Sequence, residues 1–413
     1  MPPAISLGRD KRNVLVLSIC QALFNSGRGL MFLAATLVGA NMLGQDLTFV
    51  TAPITIMLVG TAAGTLPAAH IMRALGRKVG FVIGSLIGAG GCWICYAAVM
   101  GNSFLLFNLG MFFYGIYSGF SQQYRFAVAD AAPDDFKAKA ISLVLAASVV
   151  GAVVGPETAK ATRNLFPGEE FAGSMLALIG ICVTSGLIVT FIDIPKLSRA
   201  EYATKGRRLA EIVCQPTFVV AFISAAVGYV AMNILMTTTP LAMRIGSNFT
   251  FDDTALVIEW HIIGMFAPGF FTGHLINRFG HIRVIITGGL LLLLAVVTAL
   301  AGTSLSHFWI AMFLLGAGWN FTFTGGTSLL TEVYTPSERN KVQGAYDFTV
   351  FTFMALSSLS SGALFHYLGW TWVNLAALPL VVVLVTAALW LALLRPQNPR
   401  LAADTSADGG PLD

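Results

Sequence analysis

Gln21, Asn25 and Arg28 stand at i, i+4 and i+7 in a run that is otherwise almost wholly apolar. On a helix they share one face, which then carries two amides and a guanidinium. Three further runs repeat the pattern: Ser118, Gln122 and Arg125; Tyr229, Asn233 and Thr237; Asn320, Thr324, Thr327 and Thr331. A guanidinium in apolar surroundings suits bidentate recognition of a planar anion such as a carboxylate or phosphate. The amides, hydroxyls and phenol add neutral hydrogen bonds. Such stripes are equipped to hold a small solute, which the two arginines suggest is an organic anion or zwitterion. Titratable groups within apolar runs are few. Glu157, Glu259, His261 and Asp347 are the candidate proton carriers, because an ionisable group at a bilayer centre costs about 2.5–3.5 kcal/mol and marks function by default. Each has a structural alternative: Lys160 at i+3 could neutralise Glu157, His261 could be a satisfied core histidine, and Asp347 could belong to a gate.

These residues need elements to position them, and the composition says which. The chain has 413 residues, 56% hydrophobic and only 11% charged, with a mean hydropathy of +0.77. Twelve apolar runs are long enough to cross a bilayer core of about 30 Å as helices. They lie roughly at 13–38, 47–72, 79–100, 104–130, 138–160, 171–193, 217–241, 254–276, 283–304, 306–331, 343–366 and 370–394. No alternating strand pattern competes, and backbone groups in lipid must be satisfied internally, so the expected fold is an all-α bundle. The Arg9–Arg12 segment and the run after it are too long and too polar for a cleaved leader, and read as the first span.

Lys and Arg distribution sets the topology. With both ends cytoplasmic, nineteen fall on the inner side and three, Lys160, Arg163 and Arg244, on the outer side. The expected location is therefore the plasma membrane, a bacterial inner membrane, with both termini inside. The net charge of +4 is a topology signal and implies no nucleic-acid partner. Cys92 and Cys95 lack partner ligands and read as packing residues, so neither a metal nor another cofactor is expected.

The chain divides into an N-terminal bundle (1–194), a basic linker (195–216), a C-terminal bundle (217–395) and a polar tail (396–413). Gly76 in "AHIMRALGRK" and Gly280 in "GHLINRFGHIR" are 204 residues apart, and Pro133 and Pro336 are 203 apart. Two landmarks at one offset argue for parallel repeats, an arrangement found in transporters.

The turns around these glycines resemble the signature of the major facilitator superfamily, Gly-x-x-x-Asp-Arg-x-Gly-Arg-Arg/Lys. The second copy offers Gly273, Asn277, Arg278, Gly280 and Arg283. The first offers Arg73, Gly76, Arg77 and Lys78, with Ala69 in place of the first glycine. Gly151-x-x-x-Gly155-Pro156 is similar to the fifth-helix motif of the family's drug–proton antiporters, although Thr158 and Ala159 replace its trailing glycines. The family's fourth-helix arginine has no match, Met111 standing near its place. The resemblance implies twelve helices in two pseudo-symmetric bundles, with the first, fourth, seventh and tenth helices lining a central cavity. It implies that the glycine turns form a cytoplasmic gate in which Arg278 and Arg283 meet Asp134 or Asp135, and Arg73 meets Glu338. The bland alternative is that these charges only set topology. By the resemblance the expected function is secondary active transport of a small organic molecule rather than an enzyme's chemistry, with proton coupling and a monomeric chain. Efflux by antiport, import of an organic anion and a non-transporting receptor are the readings left open. No phosphate-binding Gly-x4-Gly-Lys-Ser/Thr loop or His-Glu-x-x-His pair supports an ATP-driven pump or an embedded enzyme.

Overall fold

The computed structural model describes residues 8–124, 127–128, 137–194, 207–335 and 338–394. Within them the side chains of Asp10, Ala69, Arg73, 137–143, 145–146 and 339–341 are left undescribed. Every regular element described is helical. The N-terminal half comprises α1 (Arg9–Leu43), α2 (Ala52–Leu75), α3 (Arg77–Met100), α4 (Phe104–Ser121), α5 (Lys137–Thr162) and α6 (Ala172–Val189). After the short α7 (Leu209–Val213), the C-terminal half comprises α8 (Pro216–Leu241), α9 (Phe251–Phe266), α10 (Gly269–Phe279), α11 (His281–Ala301), α12 (Leu305–Leu330) and α13 (Arg339–Leu394). At about 1.5 Å per residue, the 56 residues of α13 would reach far beyond one bilayer. Gly369, at φ 78°, folds it into two crossings. The expected eighth span is in turn broken into α9 and α10 at Ala267 and Pro268, where proline supplies no backbone N–H.

Among the described residues nine helices are long and apolar enough to cross a membrane, the double-length α13 counting as one. Large apolar side chains such as Leu105 and Leu393 stand more than 80% exposed, as a lipid-facing surface requires. The helices form two six-helix bundles related by a pseudo-twofold. In the first, α1 packs on α5 and α4 packs on α2 and α3; in the second, α8 packs on α13 and α12 packs on α9 and α11. The repeat extends to single residues. Gly60 and Gly115 let α2 and α4 cross closely, and Gly264 and Gly316 do the same for α9 and α12. A Cβ on Gly115 would collide with the Met57 carbonyl, and one on Gly316 with the carbonyl of His261, 204 residues further on.

The bundles meet along α1–α8, α5–α9 and α2–α13. On the face opposite the start of α1 and the end of α13 this seam is closed. Thr51 Oγ1 donates to the Ser358 carbonyl (2.6 Å), and Thr48 and Tyr367 share a hydroxyl bond of 3.2 Å. Arg163 lies over the Phe251 ring at 4.2 Å, and Phe171 packs on the same ring at 5.6 Å.

Candidate functional site

The face of α1 that the sequence singles out does lie at the seam. Asn25 Nδ2 donates to Ser148 Oγ of α5 (2.9 Å) and to the Gln21 carbonyl (3.0 Å), and Gln21 Nε2 reaches the same serine at 3.3 Å. One turn further, the Arg28 guanidinium lies over the Phe32 ring, 5.5 Å from its centroid. Asn25, Arg28, Gly29 and Phe32 wall a pocket whose other side is Met232 and Met236 of α8 and Ile262, Met265 and Phe266 of α9. Its volume is only about 20 Å³. That is room for roughly one water, so the seam must part before an organic solute enters.

The C-terminal candidates separate. Tyr229 lies edge-on to Trp319 and Phe323, one turn from Met232. Asn233 does not line the pocket: it is fully buried, and its Nδ2 donates to the Met354 carbonyl (3.2 Å) and Ser357 Oγ (3.1 Å) of α13. It mirrors Asn25 and Ser148, at offsets of 208 and 209 residues. Asn320 is likewise committed inside its bundle. Its Nδ2 donates to the Met265 carbonyl (2.7 Å) at the helix break, and its Oδ1 accepts from Thr272 Oγ1 (2.7 Å). The reason is the same in each case: a buried amide in an apolar bundle takes the nearest carbonyl or hydroxyl. Thr324 is half-buried on α12, Gln122 is half-buried at the end of α4, and Arg125 lies outside the described residues.

Among the proton-carrier candidates, Glu157 is half-exposed and paired with Lys160 at 2.6 Å. Glu259, on α9 across the seam, lies in the field of both. His261 occupies the α9–α12 crossing, fully buried, with Nδ1 2.7 Å from the Met312 carbonyl; its Nε2 has no partner among the described residues. It is therefore a tie within one bundle and does not line the pocket. Asp347 is half-buried near the start of α13 and engaged with neighbours.

The two glycine turns are conformational copies. Gly76 has φ 94° and ψ 159°, Gly280 has φ 85° and ψ 160°, and each donates its N–H to the residue four before it. Only glycine holds such angles without strain. Lys78, Asn277, Arg278 and Arg283 are exposed beside them, Arg77 is half-buried, and Gly273 has open space around its Cα. Arg278 lies 5.3 Å from the Phe279 centroid. Asp134 and Asp135 and the Arg73 side chain lie outside the described residues.

Among the described residues the partner of Glu338 is Arg207 of the linker. Arg207 donates from its backbone N–H (2.7 Å), Nε (2.9 Å) and Nη2 (2.7 Å), and Nη2 also reaches the Val333 carbonyl at 2.9 Å. The backbone N–H of Thr335 adds a bond of 3.0 Å. These donors hold the Glu338 carboxyl far below the ordinary carboxylate range, and Glu338 raises Arg207 in turn. The residues that sequence reasoning missed are the apolar pocket walls. Met232 and Met236 flank Asn233 on α8, but a buried methionine carries no signal that separates a pocket from a core.

Comparison with known proteins gives the context. The family profile described as Major Facilitator Superfamily matches residues 17–267 and 221–412. The riboflavin transporter RfnT of Brucella anthropi is 39% identical over 377 residues, covering 91% of this chain and 94% of its own. YdeG, an uncharacterized MFS-type transporter of Bacillus subtilis, is 29% identical over 371 residues, covering 86% and 85%. Among solved structures, a D-xylose-proton symporter superposes with a TM-score of 0.72 at 13% identity, covering 93% of this chain and 97% of its own. The human organic anion transporter MFSD10 gives 0.65 at 14%, covering 92% and 100%.

Proposed function

We propose, since the chain belongs to the major facilitator superfamily, a family of transporters and not enzymes, that its solute is riboflavin or a close flavin analogue. It is a multi-pass membrane protein that moves a small molecule across a bilayer. The observation that carries the flavin reading is the chemistry of the seam pocket. One guanidinium and one amide stand among Phe32, Phe266, Ile262 and three methionines. Methionine and aromatic walls suit a flat polarizable ring system. A single fork suits the carbonyl edge of such a ring better than it suits a multiply charged anion. The similarity to a riboflavin transporter supports the same choice.

The pocket sits between the bundles, as alternating access requires of a transport site. We further propose proton coupling through Glu157, Glu259, His261 or Asp347. The glycine turns at 76 and 280 act as a gate on the cytoplasmic side, both termini lie in the cytoplasm, and the plasma membrane is the site of action. The bundles span 1–194 and 217–395, joined by the basic linker 195–216, with a tail at 396–413 and one chain per functional unit.

Proteoliposomes containing the purified protein test the reading. Riboflavin flux above empty vesicles is expected, with acceleration by an imposed pH gradient. No flux in either direction rejects transport of riboflavin, whereas flux indifferent to the gradient rejects only the coupling.

A further inference from the structure

Trp319 lies mid-way along α12 and is 4% exposed. Its ring stacks on Phe323, with centroids 5.1 Å apart and planes within 10°. Tyr229 abuts both rings edge-on at 5.1 and 4.9 Å, and Phe266 meets Trp319 at 6.1 Å. This aromatic nest adjoins the seam pocket. Phe266 is itself a pocket wall, and Tyr229 precedes the pocket residues Met232 and Met236 by three and seven positions, on one face of α8. The indole N–H of Trp319 nevertheless has no acceptor among the described residues. Buried donors are normally paired. A phenylalanine would fill an all-aromatic slot without leaving one unmade.

We propose that Trp319 is a specificity-determining donor of the solute site, reached when the pocket widens and Phe266 turns aside. Its complement is a ring carbonyl or ring nitrogen of a planar heteroaromatic solute lying against the nest. Arg28 addresses the opposite edge from the N-terminal bundle. The two bundles then each contribute a donor, and the unmade bond of Trp319 is completed only with solute present. This inference deepens the flavin reading and rests on it.

The test uses the full chain in nanodiscs with ¹⁵N-labelled tryptophan and riboflavin as the probe. Seven tryptophans give seven indole signals. Trp319→Phe identifies the one of interest, and Trp319→Tyr serves if the first variant is unstable. Riboflavin at saturation should shift the Trp319 signal downfield. Trp319→Phe should weaken riboflavin binding roughly fivefold, the effect of one neutral hydrogen bond. Riboflavin that binds with the Trp319 signal unmoved and the variant's affinity unchanged overturns this inference alone. A wild-type protein that binds no riboflavin overturns the flavin reading and this inference with it.

Discussion

Arg28 offers the sharpest test of the pocket. It is the one charged residue lining it among the described residues, and its guanidinium rests on Phe32 with no carboxylate beside it in the pocket wall. Arg28→Ala therefore removes a donor whose pairing with solute would be charge-assisted. A hydrogen bond of that kind contributes about 1.5–3 kcal/mol. At about 1.4 kcal/mol per tenfold, the dissociation constant should rise roughly 10- to 150-fold. Arg28→Lys keeps the charge and loses the planar fork, so it should fall between wild type and alanine. The assay is quenching of flavin fluorescence in detergent-solubilised protein, with thermal unfolding as the folding control. A well-folded Arg28→Ala protein with wild-type affinity for riboflavin would refute the assignment of this pocket.

Other expectations follow from the same geometry. Gly280→Leu forces a side chain into a backbone region open essentially to glycine, at a cost of about 1–3 kcal/mol, so flux should fall at normal membrane abundance; unchanged flux would remove the turn from the gate. Glu157→Gln, Glu259→Gln, His261→Ala and Asp347→Asn will be compared in gradient-driven transport and in solute exchange, and the proton carrier should lose the first and keep the second. If all four retain full gradient-driven transport, coupling lies elsewhere. For Glu338, the folded pKa lies below the unfolded value of about 4.3, so its stabilising contribution is complete above that value and is lost as pH falls towards the folded one. Glu338→Gln should accordingly lower the melting temperature at pH 7, and the gap to wild type should narrow below about pH 4. A gap that does not depend on pH would show that the Arg207 contact contributes nothing through charge.

The spans and the duplication were legible because both rest on local requirements. An apolar run must match a bilayer, and a turn at φ near 90° needs glycine, so Gly76 and Gly280 declared themselves. The polar stripes were legible as stripes, but their destinations were not. Asn25 and Asn233 hold equivalent places in the two repeats, yet one lines the pocket and the other is buried against α13. Spacing along a helix cannot tell which neighbour will supply the acceptor. Glu338 shows the same gap on a longer scale: nothing in the sequence announces that Arg207 of the linker comes to its carboxylate. The methionine wall had no signature at all, because Met232, Met236 and Met265 are as apolar as the core they adjoin.

The break at Pro268 divides one membrane span into two mechanical parts. α9 carries pocket residues, and α10 ends at the Gly280 turn. At the break the helical ladder is interrupted, and Asn320 bridges it from α12 through Met265 on one side and Thr272 on the other. In the first repeat α2 runs unbroken past Pro67. The twofold is thus unequal in stiffness: one arm is a rod, and the other is a jointed rod whose joint the Asn320 amide spans from outside. Motion of the turn relative to the pocket should concentrate at that joint, which makes Asn320 a fulcrum for the second arm alone.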